Sequence, residues 1–278
     1  MMSRLFFNWV KLHPLLAFFI LAYFLSWVFT IPMIARTQGM ITQPVPFSLH
    51  YLTAYGPMLA AIIITIICNG KAGVQELFGR IVKWRVGWSW ILISTFSPLL
   101  LWLLAVLAVY ATAGSIPDLK LFGQVSYLPY LGICTWILWI FNSGMGEEIG
   151  WRGFALPRLQ KKYTALKATL ILAGCWIIWH FPFFFYLESY REIGLAMFPV
   201  FAIGVAAGAI VFTWLYNSTQ GSILMVILWH GSFNFITATQ AGKGTAAAIA
   251  SALVMVWAVL VIIIFKPANL SRSPKQVI

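Results

Sequence analysis

Eight apolar stretches, each close to the length of one membrane crossing, follow one another along this 278-residue chain. A helical crossing needs about 20 mainly apolar residues. Stretches that approach this fall near residues 15–35, 52–68, 89–112, 131–156, 168–187, 196–216, 221–238 and 246–265. Lipid offers backbone N–H and C=O groups no partner, so such segments must close their own hydrogen bonds as helices. The fold class that follows is all-α: a polytopic integral membrane protein with about eight transmembrane helices, read as a single transmembrane domain over residues 1–278. The run at 15–35 follows Arg4 and Lys11, as a signal peptide would, but it is too long for a signal h-region and lacks an A-x-A site. It reads as a retained first span.

A formal charge of +12 would point to a polyanion if the chain were soluble, but 62% of its residues are hydrophobic and its Lys and Arg sit between the apolar runs. There they report topology, and no nucleic-acid partner is expected. Sorted by alternate sides, Arg36, Lys120, Arg191 and Lys243 fall on one side and the other 14 of the 18 basic residues on the opposite one. Positively charged loops stay inside, so both termini are expected in the cytoplasm, with the protein in the cell membrane. The three cysteines, Cys68, Cys134 and Cys175, lie in or beside apolar runs without CxxC spacing and indicate neither a disulfide framework nor a thiolate zinc site. Residues 71–88 mix basic and aromatic side chains and read as an interfacial helix. Gly204 and Gly208 form a GxxxG pair expected to mark close helix packing.

Only six acidic residues occur, yet two of them, Glu147 and Glu148, stand side by side within the fourth apolar stretch. Ionisable groups in lipid are costly and persist where a partner or a function holds them. Two of the four histidines, His180 and His230, also fall deep inside apolar stretches, whereas His13 and His50 lie near span ends. At about 1.5 Å per residue, Glu147, His180 and His230 lie roughly 16, 20 and 15 Å from the expected cytoplasmic edges of their spans, taken at Arg158, Lys167 and Gln220. Three different spans therefore bring polar groups to similar depth.

Residues four apart share a helical face. Glu148 and Arg152 form such a pair and are expected to neutralise one another, leaving Glu147, about 100° away around the helix, as the general base. His230 and Asn234 are spaced to present two hydrogen-bond donors to a developing oxyanion. Trp176 stands four before His180 and would wall off one side of it. The alternative is a buried hydrogen-bond network that holds helices together, and a proton relay uses the same residue types. A transporter is disfavoured by the lack of any visible repeat or paired broken helices.

The set Glu147-Glu148-x-x-x-Arg152, Trp176-x-x-x-His180 and His230-x-x-x-Asn234 resembles, in order and spacing, the three motifs EExxxR, FxxxH and HxxxN of the CPBP family. These are the CAAX proteases and bacteriocin-processing enzymes, also called the Abi or type II CAAX prenyl endopeptidase family. The motif-bearing core covers about residues 128–240, and Trp176 stands where the family usually has Phe. The resemblance implies an intramembrane endopeptidase with its active site within the helix bundle. Glu147 and His180 would activate water, His230 and Asn234 would form the oxyanion hole, and Glu148, Arg152 and Trp176 would support the site. It implies a peptide or protein substrate, lipidated if of the CAAX type, reached from the cytoplasm or laterally from the bilayer through a cavity open toward the cytoplasm. Zinc would fall to Glu147, His180 and His230 if a metal takes part, but no HExxH is present and a metal-free glutamate mechanism is preferred. The competing class is a non-enzymatic membrane protein, a bacteriocin self-immunity factor or a scaffold that retains the family pocket.

Overall fold

The computed structural model describes residues 2–125 and 128–278, which are predominantly helical and include no strand. The main helices are α1 (Met2–Leu12), α2 (Pro14–Thr37), α3 (Tyr55–Ile81), α4 (Trp88–Ala113), α5 (residues 134–162), α6 (Ala165–His180), α7 (Phe198–Ser218), α8 (Ile223–Ala238) and α9 (Thr245–Asn269). Six helical segments are long and apolar enough to cross a membrane: Pro14–Thr37, Leu49–Ile81, Trp88–Ala113, Ala165–Phe185, Leu195–Ser218 and Thr245–Asn269. The other two expected spans correspond to α5 and α8. The 16 residues of α8 reach only about 24 Å, short of a hydrocarbon core about 30 Å thick. Much of α8 packs against protein, with Met225, Val226, Ile227, Trp229 and His230 all buried.

Sequence pattern sets which faces meet lipid. Along α2, Ile20, Phe24, Val28 and Ile31 are exposed, while Ala22, Ser26, Thr30 and Met33 are buried. The spacing of three and four residues places each set on one stripe. Polar caps fix where two of the core helices begin: the Thr164 side chain accepts from the Lys167 amide at the start of α6, and that of Ser222 from the Met225 amide at the start of α8. Gly70, at φ 58°, breaks α3 so that 71–81 continue in a new direction, as the basic-aromatic composition suggests. That second piece ends at Ile81, short of the expected 88.

Close helix packing occurs elsewhere than expected. A Cβ on Gly208 would meet nothing within 4 Å, and one on Gly204 only Met255 at an ordinary 3.5 Å. The tight pair is Gly146 and Gly150, which bracket the two glutamates. A Cβ on Gly146 would lie 2.6 Å from the Ala54 carbonyl oxygen, and one on Gly150 2.5 Å from Pro57. The N-terminal part of α3 thus lies directly against the carboxylate-bearing turn, an approach that only residues without a side chain permit.

The two ends of the bundle are distinct. At one, Lys83 donates to the Gln220 carbonyl, Ser222 to the Lys83 carbonyl, and Lys275 to the Tyr163 carbonyl. Gln160 and Asn217 exchange hydrogen bonds there and also bond the backbone at Gln276 and Asn269. This is the end toward which most Lys and Arg lie. At the other, Gln38 donates to the Phe185 carbonyl, His50 meets the Tyr186 hydroxyl, and the Gln240 amide donates to the Gln124 carbonyl.

Candidate active site

The paired glutamates sit on a single α-helical turn, Gly146–Gly150, between two π-helical turns, Ile140–Met145 and Trp151–Ala155. A π turn admits an extra residue and re-aims the side chains beyond it, and such turns concentrate at functional sites. Glu148 is fully buried and accepts from Nη1 of Arg152 on both carboxylate oxygens at 3.0 Å. Its Oε1 is also 2.8 Å from Nδ1 of His230. One carboxylate therefore fixes both an arginine on its own helix and a histidine on α8. The Arg152 Nε and Nη2 atoms have no hydrogen-bond partner among the described residues. Instead the guanidinium carbon lies 4.5 Å from the ring centroid of Trp176 and 4.5 Å from that of Phe212, so two aromatic faces receive the charge.

Glu147 points away from that pair. Its Oε2 accepts from the Trp176 indole Nε1 at 2.7 Å, and Oε1 has no partner among the described residues. Phenylalanine could not make this bond, so Trp at this position does more than wall off one side of His180. Trp176 joins the site three ways: indole N–H to Glu147, ring face to Arg152, and backbone carbonyl to His180 Nδ1 at 2.8 Å.

The acceptors settle which ring nitrogens carry hydrogen. A carbonyl oxygen only accepts, so His180 donates from Nδ1, and its neutral ring presents Nε2 as an acceptor. His230 likewise donates from Nδ1 to a carboxylate, so its Nε2 donates only in the doubly protonated ring, whose charge Glu148 would balance. Asn234 donates from Nδ2 to the Ser143 hydroxyl at 2.9 Å. That hydroxyl in turn donates to the Trp139 carbonyl, which fixes the amide's orientation and leaves its second N–H available.

Glu147, His180, His230 and Asn234 all line one cavity of about 920 Å³, with Asn142, Ser143 and His50 also on its wall. Three of these wall residues were not picked out from the sequence as site residues. Ser143 stands four before Glu147, a spacing that was available to read. Asn142, whose amide donates to the Tyr51 carbonyl, and His50, held by Tyr186, carry no comparable signal. Glu147, His180 and His230, the set named for zinc, do not form a metal-holding group. Among the described residues no cluster of three or more His, Cys, Asp or Glu is arranged to hold an ion.

The cavity's outer lining comes from residues 47–54, 186–193 and 237–251, and none from the end where Lys83, Tyr163, Gln220 and Lys275 meet. It therefore opens at the end carrying Arg36, Lys120, Arg191 and Lys243. Cytoplasmic termini and a cytoplasmic cavity mouth, both expected from the sequence, exclude each other.

Residues 129–236 match the model of a family described as type II CAAX prenyl endopeptidase Rce1-like. Among curated proteins, the chain is similar to the CAAX prenyl protease 2 of Methanococcus maripaludis, with 26% identity over 226 residues, covering 76% of this chain and 81% of that protein. The matched stretch begins at the segment leading into α5 and ends within α8, so it contains every residue of the three motifs.

Proposed function

We propose that the chain, similar over its motif-bearing part to the type II CAAX prenyl endopeptidases, is an intramembrane endopeptidase whose chemistry is carried by Glu147, His180, His230 and Asn234. The observation that carries this reading is that these four, from three helices, line a single cavity with hydrogen-bonding capacity left over. Glu147 Oε1 and His180 Nε2 hold a water between them. Glu147 takes its proton as the oxygen attacks the scissile carbonyl carbon. The carbonyl oxygen becomes an oxyanion, which accepts from the free amide N–H of Asn234 and from Nε2–H of the protonated His230 ring. Collapse of the tetrahedral intermediate breaks the C–N bond, and the proton held on Glu147 passes to the leaving amine. No step requires a metal ion.

Supporting groups keep these atoms in place. Trp176 holds one oxygen of Glu147 so that the other faces the cavity, and Glu148, braced by Arg152, sets the His230 ring. The substrate is a peptide or protein with a membrane-associated segment, since a site lined within helices meets chains already at the bilayer. The name of the archaeal relative raises a prenylated C-terminus as one form such a substrate takes.

A Glu147→Ala protein separates this reading from that of an immunity factor or scaffold acting by binding. It should accumulate normally in membranes and lose the cellular effect of the wild-type gene. Retention of that effect at equal protein level would assign the function to binding.

A further inference from the structure

A second cavity, of about 220 Å³, lies between α3 and the part of α5 that follows the glutamates, and it shares no lining residue with the larger one. The change of direction at Gly70 lets Thr65 and Asn69 on one piece of α3 face the same space as Glu76 and Arg80 on the other, with Arg158 opposite them. Arg80 is already matched: Nη2 donates to Glu76 at 2.9 Å and Nη1 to the Tyr216 hydroxyl at 2.8 Å. Arg158 is not. Its Nη1 donates to the Phe154 carbonyl at 3.0 Å and its guanidinium carbon lies 3.7 Å from the Phe154 ring centroid, but Nε and Nη2 meet no acceptor among the described residues. The lining side chains therefore carry one positive charge in excess. Thr65 is only 4% exposed, yet its hydroxyl has no hydrogen-bond partner among the described residues and is not sealed inside the protein. The Asn69 amide, four residues on, is also without one.

A guanidinium, a hydroxyl and an amide facing one space are donors suited to an anion with several acceptor oxygens, and the planar guanidinium fork matches phosphate. Pockets for drug-sized ligands run about 300–1,000 Å³, so this one admits a headgroup and little more. Its surroundings are those of a lipid: Ile63 and Ile66 are exposed on the helix that carries Thr65 and Asn69, and Trp84, four residues after Arg80, and Trp88 are exposed as interfacial aromatic residues are. We propose that this second cavity binds the phosphate of a membrane glycerophospholipid, with Arg158 as the main contact and Thr65 and Asn69 completing the donor set. Basic pockets between membrane helices hold anionic headgroups in this way. None of Glu147, His180, His230 and Asn234 lines it, so this site and the peptidase reading stand or fall separately.

The test is a melting experiment on the purified protein, stripped of lipid in detergent. Short-chain phosphatidylglycerol, diacylglycerol with the same chains, or inorganic phosphate is added, since a ligand of the folded state raises the melting temperature. Phosphatidylglycerol should give a saturable rise, and the other two none over the same concentrations. Arg158→Gln should weaken the apparent affinity about 10-fold or more, as loss of a hydrogen bond to a charged group implies, and Asn69→Ala by a smaller factor. Arg85→Gln, at an exposed position outside the cavity, should leave it unchanged. Each rise is read against the variant's own melting temperature without lipid. Should Arg158→Gln fail to fold, Arg158→Lys, which keeps the charge and loses the fork, takes its place and should weaken binding too. An equal rise with diacylglycerol, or a rise that the Arg158 and Asn69 variants retain in full, would overturn the proposal. An equal rise with inorganic phosphate would assign the cavity to a free anion and remove the lipid.

Discussion

The two ends of this bundle use similar polar side chains to different effect. At the basic end, Gln160 and Asn217 exchange hydrogen bonds with each other and with the backbone of residues 269 and 276. Toward the cavity, each polar group has one hydrogen-bonding site held by protein and another left over: Oε2 of Glu147 is held and Oε1 is not, and Nδ1 of His180 is held and Nε2 is not. Satisfied buried networks rigidify. Half-satisfied ones are costly to keep, and here the unsatisfied halves face one cavity. The difference separates polar residues that close the bundle from those placed to meet a ligand.

Arg152 should give the largest effect on that contrast, because it is the buried cation on which the site's held half depends. Arg152→Leu leaves Glu148 buried with one partner fewer, and loss of a buried ion pair's partner costs about 3–5 kcal/mol. Folded yield and melting temperature in detergent should fall steeply, with the charge-swapped Glu148→Arg/Arg152→Glu protein recovering part of the loss. Stable, active single variants would show that the pair is dispensable. Asn234→Ala comes next, since it removes a leftover donor. Activity should drop about 10²- to 10³-fold, as for a single oxyanion donor, with melting temperature nearly unchanged. An unchanged kcat would remove Asn234 from the chemistry.

Trp176→Phe should act more weakly. It keeps an aromatic face over Arg152 and deletes only the indole bond to Glu147, and hydrogen bonds to charged groups contribute about 1.5–3 kcal/mol. A positioning role predicts a fall in kcat of about 10-fold or more with KM and folded yield preserved. A variant that changes stability alone would make Trp176 a packing residue.

Much of this was legible in the residues. Apolar length located all eight helical regions, and four-residue spacing identified the Glu148–Arg152 pair, because both signals are local and periodic. What escaped was set by geometry that periodicity does not encode. Two π turns re-aim the side chains of α5, so that Ser143 and Asn142 join the cavity wall. The tight glycine pair lay at Gly146 and Gly150, while Gly204 and Gly208, the same motif on a freer face, approach nothing closely. The motif states that two backbones can come together, and only the neighbouring helix decides whether they do. The end at which the cavity opens was not legible for the same reason: depth along each span places Glu147, His180 and His230 near the middle and does not say which end of the bundle stays open.

The central claim is that unsatisfied polar atoms at the cavity perform the chemistry while satisfied ones at the basic end hold the fold. Glu147→Gln and Gln160→Leu, purified side by side and reconstituted in vesicles, test it directly when kcat on a quenched fluorescent peptide and melting temperature are measured for both. Glu147→Gln should lose at least about 10²-fold in kcat, in the range expected for a general base, and keep its melting temperature. Gln160→Leu, which removes the exchanged pair of hydrogen bonds with Asn217 and the bond to the Gln276 carbonyl, should lose about 1–3 kcal/mol of stability and keep its kcat below the melting transition. The account would be contradicted by a Glu147→Gln protein that cleaves at the wild-type rate, or by two variants whose activity and stability fall together.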